Sequence, residues 1–173
     1  SAAAALALFV ISPLSPLRDE AGAVYATAPE QERLVRLSDG TTIEMAPGAR
    51  LRASLEGDER HVDFEEGVAL FNVAHDASRP FVVTTKFGEI RVLGTSFVVR
   101  LGPDAAITTV LSGRVEARRE MLFSPDNSVA ASADQEIELG GGAPTVSVLA
   151  RDALDRRLVW RDPRPHIPAD YIL

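Results

Sequence analysis

Three histidines and a few neighbouring acids are the residues of this chain that could carry acid–base or metal chemistry. His61, His75 and His166 stand far apart, and none falls into HxH or HExxH, spacings that aim two imidazoles at one zinc ion. His75 and Asp76 are adjacent, but consecutive strand residues face opposite ways, so a turn explains the pair better than a relay. Glu65 and Glu66 offer two carboxylates; beside Gly67 they read as a solvated turn. Gly140-Gly141-Gly142 is not followed by the Lys-Ser/Thr that a phosphate loop requires, and reads as a linker. There is no GxSxG elbow, and the absence of cysteine removes thiolate zinc sites, disulfides and a cysteine nucleophile. No catalytic residue, metal site or cofactor is assigned on these grounds.

A hydroxyl at a break in pattern is a different kind of candidate. In GEIRVLGTSFVVR, Gly88 to Arg100, apolar residues alternate on both sides of Gly94-Thr95, but the phase changes there. Ile90 and Val92 share one parity; Leu93, Thr95, Phe97, Val99 and Leu101 share the other. A β-bulge or sharp bend at Gly94 would insert the extra residue and move the following side chains to the other face.

The elements that must hold such residues are strands. RLVRL (33–37), TTIEM (41–45) and RLRASL (50–55) are followed by HVDFEEG, VALFNVA, FVVTT, EIRVL, FVVRL, ITTVL and RVEAR. Glycine, proline, aspartate or asparagine recurs about every 8–12 residues, the rhythm of an all-β protein. Asp39-Gly40 between two alternating runs predicts a hairpin. The fold expected is an irregular antiparallel β-solenoid or sandwich of many short strands over 25–139. Val35 with Leu37, Ile43 with Met45, Val62 with Phe64, Phe71 with Val73, Phe81 with Val83, and Phe97 with Val99 and Leu101 are its expected core.

Both ends differ from this body. Ser1 to Ile11 is an uncharged apolar run, too short for the ~20 residues that cross a bilayer. The end of a transmembrane helix, the tail of a signal peptide and a short buried helix are three readings. The first is preferred, with 1–17 as helix end and linker, since Pro13 and Pro16 would close a helix at the water interface. No initiator methionine or basic stretch precedes the run, so the sequence is expected to start partway through a longer protein. Residues 140–173 read as a linker and an incomplete C-terminal extension, with a short helix before Trp160 and a proline-rich tail. A formal charge of −7 argues against nucleic acid, whose phosphates call for a basic face.

Five elements in order resemble the FecR-type domain of bacterial transmembrane sigma-factor regulators. They are Leu37, Asp39, Gly40 and Thr41; then Glu66, Gly67, Ala69, Phe71 and Val73; then Arg79, Pro80 and Phe81; then Gly94-Thr95 with Phe97; then Leu111, Gly113 and Val115. The resemblance spans about residues 28–118, and it implies structural roles for Asp39, Gly40, Gly67, Phe71, Pro80, Phe81, Phe97 and Gly113. It also implies a single-pass protein whose β domain lies at the periplasmic face of the inner membrane. That domain would bind the N-terminal signalling domain of a TonB-dependent outer-membrane receptor. A cytoplasmic domain, not in this sequence, would pass the receptor's state to an extracytoplasmic-function sigma factor, in a setting of iron transport. In some members the domain cuts itself at a Gly-Thr bond, which makes Gly94 and Thr95 the expected cleavage pair in a protein that is otherwise no enzyme. Two departures stand out: Gly67 is followed by Val68 rather than glutamate, and the sequence after Trp160 turns proline-rich. The alternative reading is a secreted β-rich carbohydrate-binding or hydrolytic protein. It would need paired carboxylates in a cleft with exposed aromatics, whereas aromatics are 6% of the chain.

Overall fold

A computed structural model describes residues 22–119, 127–150, 153 and 156–161. Fourteen short strands dominate them: β1 (Ala23–Ala26), β2 (Arg33–Arg36), β3 (Thr42–Met45), β4 (Arg50–Ser54), β5 (Arg60–Glu66), β6 (Val68–Asn72), β7 (Phe81–Thr85), β8 (Gly88–Val92), β9 (Ser96–Leu101), β10 (Ala106–Ser112), β11 (Arg114–Arg118), β12 (Ser128–Ser132), β13 (Gln135–Leu139) and β14 (Thr145–Val148). They form two seven-stranded sheets. Sheet A has the order β1-β4-β5-β7-β8-β11-β12, and sheet B the order β14-β13-β10-β9-β6-β3-β2.

In each sheet the strand numbers rise steadily from one edge to the other. The chain lays down strands and hairpins on the two layers in alternation, advancing like a solenoid while packing like a sandwich. Both expected architectures thus hold in part. Pairing is antiparallel except between β5 and β7, which run parallel, a correction to the purely antiparallel expectation. The loop after β6 returns the chain to sheet A in the same direction as β5, so no hairpin joins those two.

The period-2 alternation read from the sequence decides which side chains face inward. Val35, Leu37, Ile43, Met45, Val62, Phe64, Phe71, Val73, Phe81, Val83, Phe97 and Val99 are all buried in one core cluster, and Leu101 packs against it. Phe71 of sheet B stacks on Phe97 at 5.2 Å and meets Phe64 and Phe81 of sheet A edge-on at 5.9 and 6.3 Å. One aromatic hub therefore joins the layers. Truncating such a ring costs about 3–5 kcal/mol, because the packed surroundings collapse only in part.

Two expectations are refined at this level. Gly140 to Pro144, read as a break, make the turn between β13 and β14, and β14 pairs with β13 over Gln135–Glu138. The sheet therefore runs past residue 139. Of the bulge and the sharp bend expected at Gly94, the structure has the bend, and it carries the chain from β8 in sheet A to β9 in sheet B. Side chains change parity because the chain changes layer. A register slip does lie nearby, on β10 between Val110 and Ser112. Residues 1–17, expected as the end of a transmembrane helix and a linker, lie outside the described residues, as does His166. Of the helix expected before Trp160, Ala153, Arg156 and Arg157 are helical and a 3-10 turn covers Val159–Arg161. Among the described residues no helix is long and apolar enough to cross a membrane.

Candidate functional site: an arginine hub behind the Gly94–Thr95 corner

Crossing between layers leaves loops at the ends of the sandwich, and backbone groups there need partners other than a ladder. Arg60, the first residue of β5, supplies several. It is fully buried, and its Nε donates to Arg79 O at 2.9 Å. Its Nη1 donates to Ala74 O at 2.8 Å and to Asp39 Oδ2 at 2.9 Å, while Nη2 reaches Leu93 O at 3.4 Å. The guanidinium carbon also sits 5.4 Å from the centre of the Phe81 ring. One side chain thus ties together the β2–β3 turn, the β6–β7 loop and the corner between β8 and β9.

Asp39 is the counter-charge, held by its own turn. Its Oδ1 accepts from Thr41 N at 2.9 Å and its Oδ2 from the Thr41 hydroxyl at 2.7 Å. The same hydroxyl accepts from Ala74 N at 3.1 Å. Burial by itself would push the Asp39 carboxyl up. The Thr41 hydrogen bonds and the Arg60 guanidinium outweigh it and hold the group below its ordinary 3.8.

The corner itself is fixed from three sides. Leu93 O accepts from Asp76 N at 2.9 Å, and Thr95 O accepts from Val73 N at 3.0 Å. Gly94 lies against His75, where a Cβ on Gly94 would stand 2.6 Å from Nδ1 and 2.8 Å from both Cα and Cβ. Glycine is required there by close approach, since its φ lies outside the left-handed region. Thr95 is 5% exposed, and its hydroxyl donates to Arg114 O at 2.8 Å. Gly113, at φ 84°, leaves space beside it: a Cβ there would come within 2.9 Å of Thr95 Oγ1 and 3.1 Å of Gly94 O. Here glycine serves both the left-handed turn and the clearance.

The residues singled out by sequence are distributed unevenly about this corner. Asp39, Gly40, Pro80, Phe81, Gly94, Thr95 and Gly113 lie in it or adjoin it; Pro80 O accepts from Arg60 N at 2.9 Å. Phe71 and Phe97 form the core beneath, and Gly67 turns the chain between β5 and β6 against Ala49. His75 and Asp76 lie in the irregular loop between β6 and β7, with no relay between them. The Asp76 carboxyl is lowered to about 2, first by the Ser78 hydroxyl, with Arg79 adding to the effect against some desolvation. Glu65 is solvated and paired with Arg50 at 2.7 Å. Sequence reading missed Arg60. It opens an amphipathic strand behind a polar turn, where arginine is ordinarily exposed, and only its even parity with Val62 and Phe64 hinted at burial. It also missed that His61 and Asp63, two apart on β5, share a face and meet at 3.0 Å.

Chemically this is a site without a reactive cluster. Among the described residues no three His, Cys, Asp or Glu side chains converge as metal ligands. The Thr95 hydroxyl donates to a carbonyl, which orients a proton but does not remove it. The arrangement positions loops of two layers against each other. A two-sheet all-β scaffold with a charge-stapled corner is the class defined by these features.

Comparison with known proteins places the class. Residues 23–116 match the model of the FecR protein family, more than half of the chain, and the chain belongs to that family. No curated protein sequence matches it. Two crystal structures of a candidate anti-sigma factor from Parabacteroides distasonis, at 1.65 and 2.50 Å resolution, share the fold. Each is 26% identical with a TM-score of 0.67, covering 79% of this chain and 64% of that one. The chain therefore spans under two thirds of that protein's length. Family and neighbour together make this a FecR-family domain on a fold shared with that neighbour.

Proposed function

We propose that the chain is the signal-receiving domain of an anti-sigma regulator, working by protein–protein contact at the periplasmic face of the inner membrane. It binds the N-terminal signalling domain of a TonB-dependent outer-membrane receptor. The receptor's state then passes through a single membrane helix to an extracytoplasmic-function sigma factor. The observation that carries this reading is the FecR family match over residues 23–116 on a fold shared with a candidate anti-sigma factor. A scaffold rich in backbone staples and poor in reactive side chains supports contact rather than turnover. The test is co-purification of the chain with the signalling domain of a receptor from the same genome, alongside a sigma-dependent reporter in cells. Retention of the signalling domain, and a reporter that stops answering the receptor when this domain is deleted, are the expected results. No retention with a folded chain removes the reading.

Gly94–Thr95 supports a second, narrower reading: self-cleavage between those residues. Thr95 Oγ attacks the Gly94 carbonyl carbon, the C–N bond breaks, and the hydroxyl proton passes to the Thr95 nitrogen. Water then opens the ester, leaving a Gly94 carboxylate and a free Thr95 amine and hydroxyl. The clearance provided by Gly113 beside both Thr95 Oγ1 and Gly94 O supports it. Intact mass spectrometry decides: wild type and Thr95→Ser yield a fragment ending at Gly94, and Thr95→Ala does not. An intact wild-type chain after prolonged incubation removes the idea and leaves the receptor reading untouched.

A further inference from the structure

Antiparallel sheets commonly leave one face to water, yet the outer face of sheet B is dry along one row. Cross-strand neighbours Glu44, Leu70, Val98, Thr109 and Glu136 run in line over β3, β6, β9, β10 and β13. Their parity is opposite to that of Ile43, Phe71, Phe97 and Ile137, so they point away from the core. Leu70 and Val98 are nevertheless only 2% exposed and Thr109 1%. The two ends of the row hold the C-terminal segment. Arg157 grips Glu136 with bonds of 2.9 Å from Nε and from Nη2, and Arg161 grips Glu44 at 2.7 and 3.1 Å. Arginines four residues apart reach carboxylates four strands apart, so the chain between them lies across the row.

We propose that this row is a docking groove for a short helical segment of a partner protein, carrying two basic side chains about one turn apart around a large apolar residue, with residues 156–161 occupying it as a displaceable strap. It rests on the reading of the chain as a domain that docks another protein. Charge and shape define the occupant: a carboxylate at each end, apolar Leu70 and Val98 in the middle. Helix-in-groove recognition uses that combination. The strap matches it but holds weakly. Both ion pairs are partly open to water, with side-chain exposures of 35% and 11% for Arg157–Glu136 and 41% and 27% for Arg161–Glu44. Such pairs are screened by salt. The Trp160 indole Nε1 is buried with no hydrogen-bond partner, a cost that the seated strap carries and a displaced one does not.

Trp160 is the chain's one tryptophan, so its emission reports the strap directly. The probe is a synthetic peptide of residues 150–161 carrying Trp160→Phe, titrated into the whole chain. A saturable red shift of Trp160 emission is expected as the strap leaves, with the peptide's apparent affinity falling as salt rises. Glu44→Lys with Glu136→Lys should red-shift the chain without peptide and weaken the peptide by at least about tenfold, through lost pairing and new repulsion. Adding Arg157→Glu and Arg161→Glu to those changes should restore the blue emission, and far-UV circular dichroism checks that the sheets persist. An unmoved Trp160 spectrum at saturating peptide, or in the Lys variant with its sheets intact, overturns the groove. A receptor signalling domain that binds while Trp160 stays blue overturns it too, yet leaves the docking reading standing. Peptide displacement without any binding of the signalling domain does the reverse.

Discussion

Arg60 and Arg50 each place a guanidinium within 3 Å of a carboxylate, and their surroundings give the two pairs opposite weight. Arg60–Asp39 is sealed, at 0% and 6% side-chain exposure, with three backbone carbonyls sharing the donors. Arg50–Glu65 stands on the outer face of sheet A at 47% and 42%. In water the second pair gains little Coulomb energy and orders two long side chains to obtain it. The first has no water to fall back on. Its partners are committed, and removing one strands the rest. The lesson is that an ion pair's importance here follows what else its arginine must satisfy.

The largest break in this comparison is Arg60→Met. It leaves Asp39 charged and buried and frees the carbonyls of Ala74 and Arg79, while Leu93 O keeps its bond from Asp76 N, so a loss of about 3–5 kcal/mol is expected from urea denaturation. The sharper variant is Arg60→Met with Asp39→Leu. If the charge pair were the whole story, the double change would return the protein near wild-type stability. It should instead remain about 2 kcal/mol short, because the orphaned carbonyls are still unsatisfied. Acid gives an independent view of the same pair. The folded Asp39 carboxyl lies below its ordinary 3.8, so near that pH the native state binds fewer protons than the unfolded chain. The stabilisation is therefore complete above about pH 4 and lost as pH falls through the folded value. Asp39→Asn should flatten that acid limb of the stability profile, whatever it does at neutral pH. An unchanged slope would show that Asp39 is not the group being titrated.

A smaller effect tests the corner that the hub restrains. Gly94→Ala drives a methyl into His75 at under 3 Å, with an expected cost of about 1–3 kcal/mol from overpacking. Combining it with His75→Gly removes the clashes with Nδ1 and Cβ but not with Cα, so rescue should be partial. Full rescue would make the contact one of side chains alone, and no rescue would move the constraint to the backbone.

Much of this architecture was readable beforehand, for a plain physical reason. Burial on one side of a strand imposes period two, and every odd–even core pair from Val35 to Val99 follows it. Layer changes were not readable. The phase break at Leu93-Gly94 looks the same whether a strand bulges or the chain crosses between sheets, since both shift parity by one. Gly140 to Pro144 likewise reads as linker or as hairpin turn, and only the pairing of β14 distinguishes them. At the site, Asp39-Gly40-Thr41 announced its turn through local chemistry. Arg60 did not, because its partners lie 14 to 33 residues away along the chain and no local pattern records a long-range carbonyl. The outer row of sheet B is a similar case: Leu70 and Val98 looked like ordinary members of apolar runs, and Glu44 like a solvated alternate.

The smallest prediction makes the contrast quantitative at its weak end. Glu65→Gln removes the charge from the exposed pair but keeps a side chain that can still accept from Arg50. Its cost should fall within about 0.5 kcal/mol, inside the range of exposed ion pairs. Raising the salt to about 1 M shortens the Debye length to roughly 3 Å, so even that difference should vanish. The same salt should leave Arg60→Met as damaging as before, because no counter-ion enters a sealed corner to replace four committed acceptors. If salt instead reduced both losses in proportion, the hub would have to be open to solvent in solution. Arg60 and Arg50 would then differ in degree, and the staple would owe its strength to proximity rather than to dryness.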